Sequence, residues 1–141
     1  MRRITNTIDI AAPAHDVYLA LRTLGAYPRW LRHSLVYRGT RVDERAGYVD
    51  TTTVGRMRGR LLDEDPDRAL HFHQALPSGA LDADIRYDVA AASPGVTHVT
   101  RVGELATRGV FRAMQPMLVR MAAAESRRTM RALKAHVEHP G

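Results

Sequence analysis

A carboxylate set among apolar helix positions is the first residue in this chain whose placement suggests chemistry. At about 100° per residue, Glu125 falls in line with Met114, Leu118, Met121 and Ala132. An ionised carboxylate on a buried stripe costs several kcal/mol unless it is paired or protonated. Glu125 therefore reads either as an acid–base group with a raised pKa or as the partner of Arg128 on the same helix, the plainer of the two. Arg101 is the second candidate. It shares a strand face with Val99 and Leu105, and an inward guanidinium could hold an acidic or enolate oxygen. The opposite face, with Thr100, Val102 and Ala106, is nearly as apolar, so the alternative is an outward arginine paired with an aspartate.

Other chemistries lack their residues. There is no cysteine, hence no thiolate metal site, cysteine nucleophile or disulfide. The seven histidines include one close pair, His71 and His73, which reads as outward-facing beside Asp82 and Asp84, without a metal. No phosphate-binding glycine loop, nucleotide fingerprint or serine elbow occurs, so no cofactor is expected.

The elements that must position these groups are legible from periodicity. Residues 2–10 alternate, with Ile4, Asn6, Ile8 and Ile10 on one face. Pro13 suits a helix start, and Val17, Ala20, Leu21 and Leu24 recur at helical spacing up to Gly25. A second short helix follows at Tyr27–Leu31. From residue 34 come six strand-like runs: 34–42, 47–54, 57–65, 69–76, 81–91 and 95–107. The turn signals between them lie at Glu44–Gly47, Gly55–Gly59, Asp65–Asp67, Pro77–Gly79 and Ser93–Gly95. Gaps this short suit hairpins in an antiparallel meander. Residues 109–138 form a long amphipathic helix in which Pro116 marks either a kink or the true start.

The 141 residues fit one domain. The composition, 45% hydrophobic and 26% charged, excludes a disordered or fibrous chain. No apolar run approaches the roughly 18 residues of a membrane span and no apolar signal core follows the basic start, so a cytoplasmic location is expected. Of the 21 basic residues only Lys134 is not arginine, and the net charge is +6. Residues 108–141 hold seven basic and two acidic groups, with Arg120, Arg127, Arg131 and Lys134 opposite the apolar stripe. That pattern reads first as a solvated back face and only second as a surface for phosphates; no specific nucleic-acid partner is expected.

Strand, two short helices, six strands and a long final helix is an order similar to the helix-grip fold of the START/Bet v1-like (SRPBCC) superfamily. The opening Ile8-Asp9-Ile10-Ala11-Ala12-Pro13-Ala14-His15-Asp16-Val17-Tyr18, then Tyr27-Pro28-Arg29-Trp30-Leu31, Asp63-Glu64-Asp65-Pro66 and Gly95-Val96-Thr97-His98-Val99-Thr100 resemble its polyketide cyclase/dehydratase-like branch. The resemblance implies an α+β chain, a single domain over 1–141, with a curved seven-stranded antiparallel sheet wrapped around the C-terminal helix and a deep cavity between them. A small hydrophobic or polyketide-like ligand is the implied partner, in a monomer or homodimer. Binding alone and cofactor-independent cyclisation or dehydration both remain open. Trp30, Tyr37 and Tyr87 are candidate lining residues, as are Met114, Met117, Leu118 and Met121 along the helix. His33 is placed at the cavity mouth as a possible acid or base. Asn6, Asp50, Thr52 and Gln74 are candidate inward polar groups, and Arg101 and Glu125 the candidate catalytic pair.

Overall fold

A computed structural model describes residues 2–43 and 47–140; of the expected turn at Glu44–Gly47, residues 44–46 lie outside the described residues. The chain begins with β1 (Arg2–Ile10) and α1 (Ala14–Arg22), continues through a 3-10 turn at Leu24–Ala26, and forms α2 (Tyr27–Trp30). Six strands follow: β2 (Tyr37–Asp43), β3 (Gly47–Thr52), β4 (Gly55–Asp65), β5 (Ala69–Ala75), β6 (Leu81–Ser93) and β7 (Val96–Thr107). The chain closes with α3 (Val110–Ala113) and α4 (Gln115–Glu138). All pairings are antiparallel, in the order β1-β7-β6-β5-β4-β3-β2. The α4 helix lies against β1 and β7 and touches α1 and α2. Among the described residues no helix is long and apolar enough to cross a membrane.

Three local differences from the sequence reading have physical causes. The C-terminal helical stretch is two helices broken at Met114, with Pro116 in the first turn of α4, where its missing N–H costs nothing. Strand β2 starts at Tyr37 because the Ser34 hydroxyl accepts the N–H groups of Val36 and Tyr37, which turns the chain first. Finally, Gly55–Gly59 is not a turn but the start of β4. Gly59 is there because the Tyr48 ring crosses its backbone: a Cβ would stand 2.3 Å from Tyr48 Cζ. We expect Gly59→Ala to displace that ring and to cost about 1–3 kcal/mol, read as a lower urea midpoint.

The apolar core is divided. One cluster gathers Ile10, Leu21, Val99, Met130 and Leu133 with several aromatic rings, under the C-terminal half of α4. The other gathers Met57, Leu76, Leu81, Leu105 and Leu118 under its N-terminal half. Between the two clusters the sheet and helix are joined by polar contacts, Ser126 of α4 bonding Arg101 of β7 and Asn6 of β1, beside an open space.

Candidate functional site

The interval between the clusters is a cavity of about 210 Å³. Its floor is the inner sheet face, with Tyr48, Phe72, Ala83 and Tyr87, and its roof is Leu118, Met121, Ala122, Glu125 and Thr129 of α4. Alternation along the strands puts these residues inward, and polar groups enter the lining at four places.

At the β2–β3 end, a bulge between Tyr37 and Thr40 turns both side chains inward. Thr40 donates to Asp50 Oδ1 at 2.6 Å, so the Tyr37 hydroxyl must donate to Thr40 Oγ1, at 2.5 Å. Burial pushes the Asp50 carboxyl up to about 6, although the Thr40 hydrogen bond and the charge of Arg101 pull it partway back. Burial likewise pushes the Tyr37 phenol up to about 12.

At the centre, Asn6, Arg101 and Tyr87 form one row across β1, β7 and β6. Arg101 donates from Nε to the Tyr87 hydroxyl at 3.1 Å and from Nη1 to Ser126 Oγ at 3.0 Å. Ser126, on the buried face of α4, donates onward to Asn6 Oδ1 at 2.5 Å. The guanidinium carbon lies 5.6 Å from the centre of the Tyr87 ring, within cation–π range. Among the described residues Nη2 of Arg101 has no acceptor, so this cavity-lining arginine keeps a donor for a ligand oxygen.

Glu125 also lines the cavity, and it is paired as well. Ser34 donates to Oε1 at 2.7 Å, while Arg128 Nε and Nη2 reach Oε2 at 3.1 and 2.8 Å. Arg128 continues to the Arg32 carbonyl at 2.7 Å and lies over the Tyr37 ring. Glu125 thus ties the 32–37 segment to α4. On the floor, the Tyr48 hydroxyl donates to Gln74 Oε1 at 2.8 Å, and burial raises the Tyr48 phenol.

The structure brings Arg101, Glu125, Tyr37, Tyr87, Leu118 and Met121 together on the cavity wall, with Asp50, Thr52 and Gln74; Asn6 joins through Ser126. Four residues expected at the ligand surface lie elsewhere. Trp30 is buried behind the cavity, stacked on His136 at 5.7 Å, its Nε1 unpartnered among the described residues. His33 packs edge-on against Tyr37 on the far side of β2. Met114 fills the core at the break between α3 and α4. Met117 is one residue out of phase with Leu118 and half exposed. Sequence reasoning gave Asp50 an inward direction but no role; the alternation of Tyr48, Asp50 and Thr52 was its only signal. Ser34, Thr40 and Ser126 had none.

The histidine pair faces outward: His71 bonds Asp84 at 3.0 Å and His73 bonds Asp82 at 2.7 Å. Among the described residues no group of three or more His, Cys, Asp or Glu could hold a metal.

Against solved structures, the chain aligns with the Zhui aromatase/cyclase from Streptomyces sp. R1128 at a TM-score of 0.77 and 16% identity, covering 97% of this chain and 93% of that one. It aligns with a START superfamily protein from Mycobacterium smegmatis at 0.75 and 14% identity, over 99% of both chains. The di-domain ARO/CYC BexL of the BE-7585A biosynthetic pathway gives 0.76 at 21% identity, covering 98% of this chain and 47% of that one. The chain thus spans about half the length of that relative. Identities this low show a shared fold, a helix-grip sheet around a long helix. Among curated proteins no sequence matches this chain. The family model described as polyketide cyclase / dehydrase and lipid transport, however, matches residues 1–138. With its sheet closed over a long helix and an apolar cavity between them, the chain belongs to the polyketide cyclase / dehydrase and lipid transport family.

Proposed function

We propose that this chain binds a small, largely apolar, oxygen-bearing ligand of polyketide type in the cavity and promotes a cofactor-independent proton transfer on it, as a cyclase or dehydratase does. The observation that carries the reading is an apolar space with a carboxyl poised at about 6 at one end and an arginine donor without an acceptor in its lining. A carboxylate with a pKa near the working pH is an effective general base. Asp50 takes a proton from the carbon beside a ligand carbonyl, and the enolate oxygen is held by Arg101 Nη2. The enolate carbon then bonds to a second carbonyl carbon of the folded chain, whose oxygen recovers the proton from Asp50. Tyr37 and Thr40 orient the base. Glu125, with both oxygens already engaged, is a positioning residue in this scheme and not the proton carrier.

At about 210 Å³ the cavity holds the volume of about seven waters, below the roughly 300–1,000 Å³ of drug-sized pockets. That favours a compact ligand of one or two rings. The direct test is native mass spectrometry of the purified protein, with extraction and identification of the bound molecule. The Ala122→Trp variant should fill the cavity and emerge empty while keeping its fold, as judged by circular dichroism. A molecule retained by that variant would place binding elsewhere. A ligand recovered unchanged after long incubation with native protein would reduce the function to carriage.

A further inference from the structure

We propose a second binding site on the outer face of the β2–β4 end of the sheet, backing onto the cavity, with which it shares Leu31 and Thr40. Its ligand is a small molecule carrying two or more phosphate groups. A groove of about 740 Å³ runs between the segment following α2 and the outer side of β2, β3 and β4. Arg32, His33, Arg38, Arg41 and Arg56 stand around it, and among the described residues no acidic side chain lines it.

These arginines are distinguished by gathering around one concave groove with no carboxylate among the described residues to pair them. Arg3, Arg22, Arg128 and Lys134 each hold a carboxylate. Within the groove, Arg38 donates one long bond, 3.3 Å, to the Ser34 carbonyl. The side chains of Arg32, Arg41 and Arg56 make no ion pair or hydrogen bond among the described residues. Register continues the charge along the sheet: Arg41 opposes Val49, which opposes Arg58, and Arg56 lies two pairs further along on the same face, opposite Thr51. Clustered like charge opposes itself unless an anion joins it.

The site is also built. Gly39 has φ +119° at the β2 bulge, and a Cβ there would stand 3.1 Å from His33 Nε2, so the imidazole lies close against the strand backbone. The segment that carries Arg32 and His33 is held from inside the molecule, by Arg128 on the Arg32 carbonyl and by Ser34 on Glu125. The backbone that carries two of the donors is thus fixed in advance, which leaves only their side chains to order on binding. A guanidinium fork matches phosphate oxygens with two parallel bonds. One phosphate engages about two such forks, so four arginines around a concave groove fit a ligand with at least two phosphates. The concavity favours a free small molecule over a flat lipid surface or a nucleic-acid duplex.

The test is calorimetric titration of the full chain with inorganic tripolyphosphate at about 150 mM salt, where general surface charge is largely screened. We expect one-site binding. The double variant Arg41→Gln/Arg56→Gln should weaken it about tenfold or more. Arg127→Gln/Arg131→Gln removes the same charge from the exposed back of α4 and should change it less than about twofold. Both pairs are on the surface, and their melting temperatures check the fold. Absence of binding to the native chain, or equal weakening by the two double variants, would overturn the proposal. So would binding restricted to vesicles of phosphatidylcholine with phosphatidic acid, or to a short DNA duplex.

Discussion

Replacing Asp50 with Asn should stabilise the protein at pH 8 and leave its stability nearly unchanged at pH 4. Burial raises the carboxyl from 3.8 to about 6 in the folded state. Below about pH 4 both folded and unfolded chains hold the proton, and the group contributes nothing. Between about 4 and 6 the unfolded chain releases its proton while the folded one retains it, so stability falls as pH rises. Above 6 the folded chain carries the ion and the whole penalty, roughly two pKa units or about 3 kcal/mol. Asparagine has the same shape, and its amide oxygen can accept the Thr40 hydrogen bond without a charge. We expect a gain of about 1–3 kcal/mol at pH 8, read from urea denaturation at pH 4, 6 and 8. A gain independent of pH would show that Asp50 is not a buried titrating group. The same variant lacks the proposed base, so it should retain ligand and lose turnover.

Arg101→Met produces the second large effect. The methionine fills similar apolar volume, but it gives up the donors to Tyr87 and Ser126 and the free Nη2. Hydrogen bonds from a charged donor contribute about 1.5–3 kcal/mol each, so ligand affinity should fall by about tenfold to a hundredfold. The variant has a second, electrostatic signature. Arg101 lowers the Asp50 pKa through its charge; without it the carboxyl should titrate above 6. A carbon-detected NMR titration of Asp50 in both proteins reads this directly. An unmoved Asp50 would mean that the two groups act in separate compartments and would break the proposed pairing of base and oxyanion donor.

The sequence carried the fold well because its strands declare themselves. In 81–89 every apolar residue alternates with a charged or polar one, and the structure turns Leu81, Ala83, Tyr87 and Val89 inward. The same alternation put Asn6 and Tyr87 on inner faces but left Arg101 open, and only the β1–β7–β6 register sets the three in one row. Glu125 shows why a choice between two readings can be ill-posed: it lines the cavity and pairs with Arg128 at once. The bulge at Gly39 was not legible, since nothing in the order of residues says that Tyr37 and Thr40, three apart, face the same way. Nor was the reason for Gly59, which is a ring on another strand. The arginines of the outer groove were equally hidden: positions 32, 38, 41 and 56 are spread along the chain, and only the pairing of β2, β3 and β4 with the segment after α2 gathers them. Charge counting along the chain pointed instead to the final helix.

The divided core has a mechanical consequence. Near its two ends α4 rests on separate apolar masses, one at Leu118 and one at Met130 and Leu133. Between those supports the helix is tied to the sheet only by the polar contacts of Ser126, beside an open interval. Whatever fills the gap completes the middle of the core, joining two half-cores that are otherwise bridged there mainly by the polar Asn6–Ser126–Arg101 contacts. Occupancy and cohesion are then the same property, since a molecule that binds only the folded chain adds its binding energy to the stability of the whole. In this architecture the proposed ligand would be a structural member, and the stiffness of the protein would report what it holds.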